Sequence, residues 1–325
     1  MSLDFSRFME ENSISQDQLD EALLKSPAPV AREKEEPYSL GPSAIHGTGV
    51  FTTTGISKDK TIGKFWVDGK WAEAGRFTNH SDNPTAYVCM QDRTMYVVGS
   101  RETDNLEEIT VDYRKVQEAL ALADRYVVAD NFCPEIESVI ASVHAAGFST
   151  WKPNKGEVGN SNYEGMGFWG HHALMLKALI SELDSIVVPN SMFFRLTNEG
   201  MEQAYIHSDR ETGNYTCIAY LSEHDTESGT AFFKHINTGL IEMPSFQDMK
   251  DMGIFEELKE DMVSRDPTKW EQIGYVAGKY NRALIFDAPL FHSRYPLEGI
   301  GKTEKDGRLI WASHFFQMNV HGQLL

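Results

Sequence analysis

The spacing of apolar residues changes along this chain, and the order of the changes restricts the fold more than any single residue does. From Tyr126 onward, helical stripes come first. Ile136, Val139, Ile140 and Val143 recur on one helix face, between Pro134 as a start signal and Gly147 as a stop. A second stripe, Leu176, Leu179, Ile180 and Leu183, predicts a helix over His171–Leu183. Strand-like runs follow: Ser191–Leu196, Tyr205–His207, Tyr215–Leu221, Thr230–Phe233, Ala283–Phe286 and Leu309–Phe316. Helices first and antiparallel-looking strands afterwards imply an α+β arrangement, a β-sandwich or barrel braced by helices.

The text before Tyr126 is different. Short β-like runs (Thr48–Thr53, Ala86–Met90, Met95–Val98, Ile109–Val111) are cut by Gly, Asn and Asp turns. They predict a small, mostly β domain over residues 37–120, closed by a connecting helix at Lys115–Arg125. Residues 1–36 read as an appendage: a short amphipathic helix marked by Ser15, Asp17, Leu19, Leu23 and Leu24, then the breaker-rich linker SPAPVAREKEEP. The rest, residues 121–325, forms the larger domain.

A chain of 325 residues exceeds the roughly 250–300 at which single cores stop growing, so more than one domain is expected. Its net charge of −18 disfavours nucleic acid, whose non-specific affinity rests on clustered Lys and Arg. No apolar run approaches the roughly 18–20 residues that cross a bilayer, and the polar start MSLDFSRFMEENS is not a secretion signal. Cys89, Cys133 and Cys217 are widely separated and read as reduced thiols, which fits a cytoplasmic location. The expected partners are a small molecule or a peptide or protein substrate, without membrane or nucleic acid.

The residues that carry chemistry lie in YIHSDRETGNYTCIAYL. In a strand, residues i and i+2 share a face, so His207 and Asp209 present an imidazole and a carboxylate side by side if the strand extends that far. A further imidazole completes the two-His, one-carboxylate triad that leaves positions open on a non-haem Fe(II). His292 is the best third ligand because it ends the apolar run RALIFDAPLFHSRYP, where a buried imidazole needs a partner. His314, in the last strand, is the weaker rival.

These elements, in this order, resemble the 2-oxoglutarate/Fe(II) dioxygenase superfamily, in the style of its prolyl-hydroxylase-like branch. The resemblance runs from YVVADNFCPEIESVIASVHAAGF at Tyr126 to Phe316, through His207/Asp209, IAYL, SGTAFF, His292 and Arg308 in GRLIWASHFF. It implies a double-stranded β-helix, or jelly roll. It also implies Fe(II) on His207, Asp209 and His292, and 2-oxoglutarate as cosubstrate for hydroxylation of a C–H bond. Arg308 would clamp the distal carboxylate, a task suited to a bidentate guanidinium, with Arg294 as the rival clamp and Tyr215 as a hydrogen-bond partner of the same cosubstrate. Phe193, Phe194, Phe232, Phe233 and Trp311 are candidate pocket or core aromatics.

A second series, IHGTGVFTTTGISKDKTI, GRFTNHSDNPTAYV and EEITVDY, resembles the SET methyltransferase family. There Gly47, Gly49, Asn79, His80 and Tyr113 would surround S-adenosylmethionine. The interval from the Ile62 strand to Asn79 is short for that family, which favours a minimal SET-like accessory module over an active methyltransferase. Three readings follow: a dioxygenase with a SET-like module, a SET-type protein methyltransferase with an auxiliary oxygenase-like domain, and a non-catalytic binding protein.

Overall fold

Where the sequence alternates short β-branched runs with turn residues, the chain folds into hairpins; where it carries helical stripes, they lie against a sheet. The structure, a computed structural model, describes residues 3–15, 18, 28–33, 35–151, 161–163, 169–198, 205–222, 228–264, 266–297, 300–303 and 306–318. The chain divides into two units, Met1–Asp124 and Arg125–Leu325. Among the described residues, no helix is long and apolar enough to cross a membrane.

In the first unit, β1 (Tyr38–Pro42), β2 (Thr48–Thr52), β5 (Asn79–His80) and β8 (Glu108–Val111) form a sheet in the order β1-β2-β8-β5. Strands β3 (Thr61–Val67), β4 (Lys70–Trp71), β6 (Ala86–Gln91) and β7 (Thr94–Gly99) pair in the order β6-β7-β3-β4. Asp92 and Arg93 both take positive φ in the two-residue turn between β6 and β7, as a hairpin matched to strand twist requires. Helix α2 (Glu73–Phe77) fills the short interval before Asn79, and α3 (Tyr113–Ala123) starts where the Asp112 side chain accepts a hydrogen bond from Arg114 N. An unanticipated helix, α1 (Leu3–Glu11), buries Phe8 and Met9. The amphipathic helix expected around Asp17–Leu24 lies almost wholly outside the described residues.

The second unit opens with β9 (Tyr126–Asp130), α4 (Ile136–Ala146), β10 (Ser149–Trp151), β11 (Ser161–Tyr163) and α5 (Trp169–Leu183). Strands β12 (Ile186–Thr197), β13 (Tyr215–Tyr220), β16 (Arg282–Asp287) and β18 (Arg308–Met318) then build the centre of a seven-stranded sheet, β10-β11-β12-β18-β13-β16-β9. Between them the chain crosses to a second layer, in which β14 (Gly229–His235) pairs on one side with β15 (Trp270–Ala277) and on the other with β17 (His292–Tyr295). The bridge His207↔His292 adds the segment around His207 beyond β17. Taken along the chain, β12, the His207 segment, β13, β14, β15, β16, β17 and β18 pass between the two layers as a jelly roll does. This is the double-stranded β-helix that the resemblance implied.

Alternation along β18 decides what faces inward. Leu309, Trp311 and Phe315 join the core formed by Ile136, Val139, Ile140 and Val143 of α4 and by Met175, Ala178 and Leu179 of α5. Arg308, Ile310, Ala312 and His314 therefore face the second layer. The α5 stripe is rotated from its expected face, since Ile180 is 41% exposed and Met175 is buried in its place. Helices α6 (Phe246–Asp251) and α7 (Phe255–Ser264), in a stretch the sequence left unassigned, cover the outer side of the second layer. There Met249 and Leu258 pack with Ile206, Ala231, Phe233 and Phe291. Each fully buried side chain of this size contributes roughly 1.5–3 kcal/mol, so each core stabilises the packing of its helices on the adjoining layer.

Candidate metal centre

His207, Asp209 and His292 converge: one ligand atom from each lies within 4.8 Å of the others. His207 Nε2 is 3.8 Å from Asp209 Oδ1, and His292 Nε2 is 3.3 Å from Asp209 Oδ2. Backbone pairing sets this geometry. His207 and His292 exchange both N–H···O=C bonds, at 3.0 and 2.9 Å, which places their rings 4.5 Å apart. The expected strand does not run through to Asp209; it ends at the single bridge. Asp209 is instead held by its own N–H donating to Ala288 O at 2.9 Å, on the segment that leads into β17. The three side chains meet because two distant segments cross, not because i and i+2 share a pleat.

The backbone also fixes the tautomers. His207 Nδ1 faces Tyr205 O at 3.0 Å and His292 Nδ1 faces Leu290 O at 2.9 Å. A carbonyl only accepts, so in each neutral ring Nδ1 carries the proton and Nε2 a lone pair. Two lone pairs and a carboxylate thus face one another with no donor between them, an arrangement that a divalent cation relieves. Burial, with the neighbouring His292 ring, pushes His207 down to about 4. Burial alone would raise Asp209. The histidines around it, His292 first and His314 after it, reverse this and hold it well below the usual carboxylate range. A centre that keeps His207 neutral and favours positive charge beside Asp209 suits a metal ion. Solvent reaches it from one side: the His207 side chain is 31% exposed and that of His292 only 4%.

Thr216, which had no place in the sequence reading, and His314, read there as the weaker rival ligand, both reach Asp209. Thr216 Oγ1 donates to Asp209 Oδ2 at 3.0 Å, and His314 Nε2 lies 3.2 Å from the same oxygen. Both face inward from the first layer; the alternation of β13 and β18 was the available signal. His314, considered as a rival iron ligand, stands outside the converging group and contacts only its carboxylate.

Arg308 is buried on the inward face of β18, with Nη2 3.4 Å from Gly229 O and its guanidinium 5.6 Å from the Tyr220 ring. Arg294 turns to its own loop, donating from Nε and Nη2 to Leu297 O at 3.3 and 3.0 Å. Tyr215 requires a correction: it is on the other side of the sheet. Its ring stacks on Phe315 at 5.7 Å and it lines an outer cleft with Arg125, Arg210 and Asp287. The cause is strand parity, since its neighbour Thr216 is the residue that turns to Asp209. Among the candidate aromatics, Phe194 and Trp311 pack in the helix-facing core and Phe233 in the outer one. Phe232 contacts Phe286, whose ring is 4.6 Å from His292.

The residues expected around S-adenosylmethionine also come together, but they satisfy one another. Asn79 Nδ2 donates toward Ser43 Oγ (3.0 Å), Glu108 Oε1 (2.9 Å) and His46 O (3.2 Å). The space beside Gly49 is taken by Glu108, whose Oε1 would lie 2.5 Å from an added Cβ. The His80 ring accepts from Tyr113 N at 3.2 Å, and Tyr113 OH donates to Thr78 O at 2.7 Å. Phe8 of α1 lies against both rings, at 4.9 and 5.3 Å. The expectation of S-adenosylmethionine at these residues is therefore not supported: protein atoms occupy the polar positions assigned to it.

A family profile described as "Family of unknown function (DUF6445)" matches residues 193–315, and a SET domain profile matches residues 63–114. No curated protein matches the chain. One similar solved structure is the non-heme alpha ketoglutarate dependent carbocyclase SnoK from nogalamycin biosynthesis, 11% identical, covering 64% of this chain and 92% of that one at a TM-score of 0.38. HygX from Streptomyces hygroscopicus, with nickel and 2-oxoglutarate bound, is 12% identical over 61% of this chain and 86% of its own, with a TM-score of 0.39. A candidate histone methyltransferase from Plasmodium falciparum is 23% identical over 24% of this chain and 94% of its own, with a TM-score of 0.23.

Proposed function

We propose that the unit Arg125–Leu325 is an Fe(II)- and 2-oxoglutarate-dependent dioxygenase that hydroxylates a peptide side chain or a small metabolite, with the SET-like unit as an accessory module. The observation that supports it is the facing of two Nε2 lone pairs and the Asp209 carboxylate inside a double-stranded β-helix. Two imidazoles and one carboxylate on one face leave the remaining metal positions open, the donor set of oxygen-activating non-haem iron. When bound, the metal and 2-oxoglutarate together supply the activation of oxygen for insertion into a C–H bond.

The chain's own residues do the rest. His207 and His292, their Nδ1–H groups tied to carbonyls, present Nε2 in fixed directions. Arg308 offers its fork to the distal carboxylate of 2-oxoglutarate, whereas Arg294 is engaged in bracing the turn after β17. Phe286 and Phe232 keep water from the buried side of His292. The exposed edge at His207 leaves that side for the substrate.

Anaerobic addition of 2-oxoglutarate to the Fe(II)-loaded protein should give a visible charge-transfer band, and admitting air should yield succinate. A protein that retains no iron and forms no succinate above background would defeat the proposal.

A further inference from the structure

Three imidazoles surround Asp209, and their backs face different groups. His207 and His292 are backed by carbonyl oxygens, which only accept. His314 is backed by a hydroxyl: its Nδ1 lies 2.6 Å from Ser191 Oγ, across the β12–β18 pair in which Ser191 sits opposite His314. Asp209 Oδ2, 3.2 Å from His314 Nε2, is acceptor-only when ionised. A neutral His314 therefore donates from Nε2 to Asp209, and its Nδ1 accepts the Ser191 hydroxyl proton. This is the reverse of the tautomer held by the two ligand rings. Thr216 Oγ1 donates to the same Oδ2 at 3.0 Å.

We propose that His314, set by Ser191 and assisted by Thr216, is a positioning residue that pins Oδ2 of Asp209, so that the carboxylate meets the metal in one orientation and through one oxygen. The inference rests on the metal-centre reading above and goes beyond it by assigning roles to three residues that are not ligands. Without the pin, the carboxylate rotates and can take two metal positions, which closes part of the open face. Outer contacts of this kind change metal affinity by roughly 10–100-fold when removed.

The test is Co(II) and Fe(II) affinity, by calorimetry under anaerobic conditions, with the visible spectrum of the Co(II) form as a second readout. His314→Leu keeps the apolar volume and removes the donor; His314→Gln keeps an N–H donor; Ser191→Ala removes only the hydroxyl that sets the tautomer. Binding should weaken at least tenfold in His314→Leu with a changed Co(II) spectrum, recover to within about threefold in His314→Gln, and fall between the two in Ser191→Ala. Equal affinity and spectrum in wild type and His314→Leu would overturn the assignment while leaving the metal centre standing. Failure of the wild type to bind either metal would remove both readings. Weakening in His314→Leu and His314→Gln alike, with an unchanged spectrum, would reduce His314 to a packing residue.

Discussion

The two units each gather a constellation of motif residues, and the constellations differ in what their polar atoms have left to do. In the first unit, Asn79, Ser43, Glu108, His80 and Tyr113 bond to one another and to local backbone. Little donor or acceptor capacity remains turned outward, and Phe8 covers the rings. In the second unit, His207, Asp209 and His292 are oriented so that their coordinating atoms face each other without a proton to share. Buried polar groups are normally satisfied, and two Nε2 lone pairs facing a carboxylate form a donor set that could hold a cation. The comparison teaches that a motif held by a fold is a site only where its polar atoms remain unspent.

The largest effect that could break this contrast concerns the metal. His207→Ala or Asp209→Ala should abolish iron retention, a loss exceeding the ~100-fold of an outer contact, with the circular dichroism spectrum unchanged. Stoichiometric iron in both variants would place the cation elsewhere. Next in size, Arg308→Leu should raise the 2-oxoglutarate concentration for half-saturation by about 10–150-fold, the value of roughly 1.5–3 kcal/mol for a hydrogen bond to a charged group. Arg294→Leu should change it far less, and the reverse ranking would exchange the two roles.

A third prediction concerns the wall behind the centre. Burial, with the neighbouring His171, pushes His172 down from 6.5 to about 4, and Trp311 Nε1 donates to its Nδ1 at 3.0 Å. The fold holds His172 neutral, so the unfolded chain binds the extra proton between these values. Its contribution is complete above pH 6.5 and is lost as the pH falls toward 4, by about 3 kcal/mol. Urea unfolding measured across that range should slope by up to one proton more in wild type than in His172→Phe. Equal slopes would refute this account of the wall.

The smallest effects test the first unit. Asn79→Ala leaves Ser43 and Glu108 short of a donor, and should cost about 1–3 kcal/mol of stability without changing metal affinity. Titration with S-adenosylmethionine should release no heat; measurable binding would show that the Asn79–Glu108 network opens and that the two constellations are alike in keeping polar atoms for a ligand.

By itself the sequence determined which residues had the right chemistry and what kind of layers would form. The α4 stripe was legible because its apolar spacing is local, and the strand runs for the same reason, though α5 turned slightly and α6 and α7 carried no clear pattern. The converging group was legible from H-x-D and from the apolar setting of His292, yet the strand that would carry His207 and Asp209 on one face ends at His207. Tertiary structure decided that Asp209 hangs from Ala288, that Thr216 rather than Tyr215 faces inward, and that His314 reaches the carboxylate from across the barrel. Periodicity is written in neighbouring residues, whereas strand parity and register come from partners far along the chain, which settle only when the two layers close on each other.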